Sequence, residues 1–194
     1  MNPQNGNALW RNEEGLLTEN YGEARRINAG SPEPLWTGGF NTELSWKGIS
    51  LGIQLEARYG NKVLNQDRSL FEADGSYGDS NIWKGALNYW KKPGDTNVLP
   101  KPIYNNSSNS SQISTRYLED GSYLRIKDIT LAYNLPSKWT KKALMSGVRI
   151  YASALNLYTF HNMNYWDPEH GTTGATIISY PMTRSMIVGV DITF

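Results

Sequence analysis

The twelve residues Thr183 to Phe194 (TRSMIVGVDITF) constrain this chain most. Met186, Val188, Val190, Ile192 and Phe194 share one parity, while Ser185, Gly189, Asp191 and Thr193 share the other with Ile187. Side chains alternate between faces along a strand, so the segment has one apolar and one mostly polar face. Two environments accept such a strand. One is the half-buried sheet of a soluble sandwich. The other is a transmembrane barrel, with oil outside and water inside.

The remaining strand patterns and their spacing favour the barrel. In WTGGFNTELSWK, Trp36, Phe40, Leu44 and Trp46 alternate with Thr37, Asn41, Glu43, Ser45 and Lys47. In ISLGIQLEARYG, Ile49, Leu51, Ile53, Leu55, Ala57 and Tyr59 alternate with Ser50, Gly52, Gln54, Glu56 and Arg58. The pair reads as a hairpin closed at Lys47-Gly48. Each arm is about 12 residues, enough for a tilted strand to cross the hydrocarbon. Strands are expected over about 36–47, 49–60, 122–134, 147–160 and 183–194, with long connections over 61–121 and 161–182. The connections are alternately short and long, as periplasmic turns and extracellular loops are. Within 122–134, Ile129, Leu131 and Tyr133 share a phase that upstream holds Arg125 and Lys127; a bulge accounts for the change. In the fourth strand Val148, Ile150, Ala152 and Ala154 share a face.

Residues 1–34 are polar and irregular and read as extracellular loop, ending in the turn-rich Gly30-Ser31-Pro32-Glu33-Pro34. The first long loop is expected to hold a short helix over Ser80 to Trp90, stopped by Pro93-Gly94, and the flexible tract NNSSNSS at 105–111. Ser137 to Ser146 reads as a short helical turn after Pro136.

Composition narrows the function. Nineteen basic against 18 acidic residues leave no basic stripe for nucleic acid. The chain has no cysteine, which removes disulfides, thiolate metal sites and a cysteine nucleophile. No run reaches the roughly 18 apolar residues of a transmembrane helix. Seven Trp and twelve Tyr suit the aromatic girdles of a barrel; Trp36, Trp46, Tyr59, Tyr133 and Trp139, near strand ends, read as such a girdle. The start MNPQNGNALWRNEEG has no basic stretch before an apolar core and reads as no signal peptide, so the barrel reading expects further chain before Met1.

No catalytic or metal constellation stands out, and no cofactor is expected. His161 and His170 lie near Asp167 and Glu169 without a common ligand spacing. Asp74 to Asp79 has too few ligands for a calcium loop. Loop aromatics are the candidates for substrate or partner binding: Tyr77, Trp83, Tyr89 and Trp90 in the first loop, Tyr165 and Trp166 beside Asp167 and Glu169 in the second. Flat rings with nearby carboxylates suit sugar or peptide capture. Their bland role is packing the loops.

Four stretches in sequence order resemble one family. SPEPLWTGGFNTELSWKGISLGIQLEARYGNKVLN resembles its paired strands, and RYLEDGSYLRIKDITLAYNLP its "S-Y-L-R-L-K-N-V-T-L-G-Y-x-L-P" strand. VRIYASALNLYTF with WDPE resembles its next strand and "D-P-E" loop, and YPMTRSMIVGVDITF its closing strand. This is the SusC/RagA-like family of TonB-dependent outer-membrane transporters. The departures are Asp128 for Asn and Ala132 for Gly. The resemblance implies an all-β chain: an antiparallel transmembrane β-barrel segment, about five C-terminal strands of a large plugged barrel, with long extracellular loops. It implies import of oligosaccharide or peptide, no enzymatic activity, and a place in the outer membrane. The implied partners are lipid, the remaining strands and plug, a SusD-like surface lipoprotein, and the TonB complex through a part outside these residues. Val190, Ile192 and Phe194 would form the barrel-assembly signal. A soluble all-β carbohydrate-binding module is the alternative.

Overall fold

The computed structural model describes residues 1–78, 81–171, 174–176, 180 and 182–194. The chain divides into two compact units. One comprises Pro32–Lys62, Asp120–Thr172 and Ser179–Phe194; the other comprises Met1–Ser31, Val63–Glu119 and Thr173–Ile178.

The first unit is an antiparallel meander of five strands: β1 (Trp36–Trp46), β2 (Ile49–Tyr59), β3 (Tyr123–Asn134), β4 (Gly147–His161) and β5 (Ser185–Thr193), bonded in the order β1-β2-β3-β4-β5. Lys47 and Gly48 both take positive φ, at 48° and 88°, the backbone a two-residue primed hairpin turn requires. A Cβ on Gly48 would stand 2.9 Å from the Asn134 carbonyl oxygen, so this close approach needs glycine.

Register sorts the residues onto two faces. Across β1 to β3, Leu44 faces Leu51 and Leu51 faces Leu131, while Phe40 faces Leu55 and Leu55 faces Ile126. Across β3 to β5, Tyr133, Ile150 and Val190 form a row, as do Leu131, Ala152 and Val188. This face is exposed: Leu44 is 61%, Phe40 57% and Val188 79% accessible. The opposite face carries Asn41, Gln54 and Asp128 in one row and Glu56, Arg125 and Thr159 in another. Arg125 is wholly buried, as is Thr140 in the short helix α2 (Ser137–Thr140) that follows β3. A water-soluble sheet buries leucines and exposes arginines. This sheet does the reverse.

The change of phase in β3 has a simple cause. Asp128 pairs with Gln54 and Ile126 with Leu55, so Lys127 is an extra residue opposite β2. The matching irregularity in β4 spans Leu155 to Tyr158, where Asn156 has a positive φ of 51°. Beyond the bulge the alternation restarts shifted by one residue. Tyr123, Arg125 and Asp128 therefore share the polar face, while Leu124, Ile126 and Ile129 share the apolar one.

The second unit contains a short ladder of Trp10–Arg11 with Leu17–Thr18, the helix α1 (Gln66–Glu72) and several 3-10 turns. Asn65 caps α1 by accepting a bond from Arg68 N at 3.0 Å. Neither the ladder nor α1 was legible as a periodic pattern. Of the helix read over Ser80 to Trp90, the described residues form only a 3-10 turn at Lys84–Leu87, and Ser80 lies outside them. Trp83 stacks on Phe71 at 4.7 Å and Trp90 N bonds to the Leu99 carbonyl at 2.9 Å. Tertiary partners on both sides hold the segment open against its weak propensity, with Gly85 and Asn88 inside it. No helix among the described residues is long and apolar enough to cross a membrane, which does not bear on crossing by strands.

Candidate functional site

The polar face of the sheet builds an ion network around Arg125. Arg125 donates through Nη2 to Asp167 Oδ1 and through Nη1 to Glu169 Oε2 at 2.5 Å. Lys127, turned inward by the bulge, reaches Glu169 Oε1 at 3.2 Å and Glu56 Oε2 at 3.1 Å. Tyr123 Oη donates to Glu56 Oε1 at 2.7 Å, and the Arg58 guanidinium lies 5.7 Å from the Tyr123 ring centre. Asp167 Oδ1 also accepts the backbone N–H of Glu169 at 2.9 Å, folding the Asp-Pro-Glu segment back on itself. Three cations (Arg58, Arg125, Lys127) thus stand among three carboxylates (Glu56, Asp167, Glu169), and formal charge cancels. Beneath them Thr130 and Ser153 each donate to Asp128 at 2.8 Å.

This network redefines two of the sequence candidates. Asp167 and Glu169 are engaged by Arg125, and their side chains retain only 16% and 26% of their exposure. Tyr165 in the same loop stays open at 54%, with a positive φ of 70°, and Trp166 is half-buried. Among the first-loop candidates Tyr77 is exposed and Tyr89 half-buried, with Lys91 5.4 Å from the Tyr89 ring. Trp83 is half-buried on Phe71, and Trp90 is buried with its indole N–H donating to the Pro3 carbonyl at 3.1 Å. Val190, Ile192 and Phe194 are all exposed, and Val190 and Ile192 lie in the apolar rows of the sheet. The side chain of His170 lies outside the described residues, and among those described no group of His, Cys, Asp and Glu could hold a metal ion.

A second ion cluster, unforeseen, organises the loop unit. Arg116 bonds to both carboxylate oxygens of Asp74 and to Glu72 Oε2 at 3.1 Å; Arg68 bonds to Glu72 Oε1 at 2.6 Å and Glu119 Oε1 at 3.0 Å. Ser110 Oγ donates to Asp74 at 2.8 Å. Asp74, at the head of the segment with too few ligands for calcium, is committed to an arginine and a hydroxyl. Burial works against the charged forms of Arg68 and Arg116, but bonds to Glu72, Glu119 and Asp74 outweigh it and raise both above the usual value. Burial pushes the Tyr117 phenol well above its usual value. Only the Arg68–Glu72 spacing, one helical turn apart, gave a sequence signal for this cluster.

No family model matches the chain. Three curated relatives from Formosa agariphila do. The chain is 31% identical to TonB-dependent receptor P3 over 182 residues, covering 88% of the chain and 17% of the relative. It is 28% identical to TonB-dependent receptor P26, over 85% of the chain and 17% of that protein. Solved structures of the RagAB peptide transporter match all of the chain and 22% of theirs, with a TM-score of 0.84 at 30% identity; the "closed-closed" RagAB peptide importer gives 0.82 at 29%. The chain spans about a sixth of the length of its curated relatives. Its sheet accordingly matches a portion of the RagA barrel wall, and over most of its length the chain is similar in sequence and fold to a segment of the TonB-dependent receptors.

Proposed function

We propose that this chain is wall and loop of an outer-membrane, TonB-dependent nutrient importer with no enzymatic activity. The carrying observation is the inverted sheet: Leu44, Phe40 and Val188 open outward while Arg125 is buried on the other side. In lipid, outward apolar rows are solvated by acyl chains and the polar face lines the lumen. A soluble carbohydrate-binding module would leave the same rows in water, far beyond an ordinary surface patch. β1 and β5 are the sheet's edges among the described residues. Unpaired edge amides in hydrocarbon cost several kcal/mol each, so further strands complete the wall.

The rest of the barrel, a plug, a SusD-like lipoprotein and the TonB complex are the partners in this reading. Peptide is the favoured cargo, because the solved relatives are described as peptide transporters. Tyr77, Tyr89, Tyr165 and Trp166 would meet cargo or lipoprotein, with Trp83 and Trp90 supporting their loop. Asp167 and Glu169 would hold the second loop to the wall, and Val190, Ile192 and Phe194 would be read by the assembly machinery.

The test is uptake of labelled oligopeptides by cells carrying the full-length receptor, with and without TonB. Uptake and outer-membrane fractionation, both lost when the receptor gene is deleted, with uptake also lost without TonB, are expected. A receptor recovered in the soluble fraction without detergent would overturn the proposal.

A further inference from the structure

A groove in the loop unit joins chemistry that the barrel reading leaves unused. The ladder of Trp10–Arg11 with Leu17–Thr18 forms one wall, and a backbone bond from Arg25 N to the Arg11 carbonyl at 2.9 Å adds the following segment beside it. Tyr21 packs edge-on against Trp10 at 5.5 Å and donates its hydroxyl to the Ile113 carbonyl at 3.0 Å, fixing the far side. The groove is open to solvent on one side and has a volume of about 850 Å³.

Its lining combines apolar side chains, Leu17, Ile27 and Ile113 among them, with three arginines: Arg11, Arg25 and Arg26. Among the described residues no carboxylate lines it. Among the described residues none of these arginines forms an ion pair; Arg11 donates only to the Gly15 carbonyl, at 3.1 Å. Glu13 and Glu14, next to Arg11 in sequence, are exposed and stand outside the lining, and the other two carboxylates of this segment are engaged by neighbours. Glu23 accepts from Thr18 and Asn20 at 2.7 and 3.0 Å, and Glu19 is held by Asn2, Asn5 and Asn7. Both carboxyls are kept below the usual range by these bonds, so they stay charged and engaged. The lining itself therefore carries three guanidinium groups beside open apolar side chains, with no carboxylate among the described residues that form it. Such a surface raises the local concentration of anions, and the guanidinium fork matches carboxylate geometry.

We infer that this groove binds a short acidic peptide, its carboxylates on Arg11, Arg25 and Arg26 and an apolar side chain against Leu17, Ile27 and Ile113. The volume falls in the range of small-ligand pockets, roughly 300–1,000 Å³. The aliphatic floor favours peptide over sugar, whose hydroxyls would find few amide or carboxylate partners there. The inference takes its cargo class from the importer reading, but its test does not depend on transport.

The experiment is calorimetric titration of the purified full-length receptor in detergent with a blocked Leu-Asp-Glu-Ile tetrapeptide, a blocked Leu-Lys-Lys-Ile tetrapeptide and an oligogalacturonate. Binding of the acidic peptide alone, weakening as salt rises and falling about tenfold or more in an R25E/R26E receptor, is expected. Should R25E/R26E lower the melting temperature, the milder R25Q/R26Q receptor replaces it, with a loss of several-fold expected. Equal binding of both peptides, binding unaffected by the substitutions, or binding of oligogalacturonate in place of peptide would each overturn the inference. Loss of TonB-dependent uptake with peptide binding intact would count against the importer and leave the groove standing.

Discussion

Replacing Arg125 with methionine tests the central network. Methionine keeps much of the side-chain volume and removes a charge that is wholly buried. Asp167 then loses its arginine, and Glu169 keeps only Lys127, at 3.2 Å. Breaking a buried ion pair from one side costs about 3–5 kcal/mol, because the remaining charges stay buried and unpaired. Here the carboxylates keep 16% and 26% exposure, and water relieves part of that cost. We therefore expect about 2–4 kcal/mol, expressed as detachment of the loop. Hydrogen exchange of the full-length receptor in detergent reads this directly. Amides of residues 162–171 should exchange on the order of thirty- to several-hundred-fold faster, at about 1.4 kcal/mol per tenfold. Amides of β3 should stay protected, since their ladders to β2 and β4 are backbone bonds. Adding D167N and E169Q to R125M removes the orphaned charges and should restore much of the protection. Unchanged exchange in R125M, or melting of β3 together with the loop, would refute the assignment of Arg125 as the loop's anchor.

Lysine at Val188, fully on the apolar face, should cost about 2–4 kcal/mol in urea unfolding from lipid vesicles, whereas lysine at Gln54 on the polar face should be nearly neutral. Substituting Gly48 with valine should destabilise the β1–β2 turn by about 1–3 kcal/mol in the same assay, through its positive φ and the nearby Asn134 carbonyl. Tyr117 carries a buried hydroxyl without a hydrogen-bond partner among the described residues, so Tyr117→Phe should be neutral or slightly stabilising by thermal melting at neutral pH. The Tyr117 phenol is raised in the folded state, so its stabilising contribution is complete below the unfolded value of 10.0 and drains away as pH rises beyond it. Alkaline melting curves of Tyr117→Phe should accordingly fall less steeply above that pH than those of the unmodified protein.

The sheet was legible because a barrel strand writes its environment into every second residue. The runs at Ile49–Tyr59 and Met186–Phe194 needed no partner to be read. The muddle at Arg125 and Lys127 was legible as an irregularity, and Lys127 is where the extra residue sits. The long-range ion pairs of both units were not legible in the same way. Arg116 finds Asp74 across 42 residues and Arg125 finds Glu169 across 44, and no local spacing encodes such pairs. Asp167 and Glu169 read as candidate binding carboxylates from the sequence, and their bonds to Arg125 are visible only in the fold, because a sequence shows charges and not their counter-ions. The opening segment read as irregular because its ladder is only two residues per strand, too short for alternation to register.

Every strand of the wall bonds only to its chain neighbours. Such a meander can be laid down one hairpin at a time, each new strand templated by the one just placed. The entropic penalty of bringing distant segments together then falls on the last seam that closes the cylinder, and on β3, which must find β2 across the long first loop. During biogenesis that loop sets the delay: the hairpin of β1 and β2 can zip promptly, while growth of the wall waits for the excursion to return.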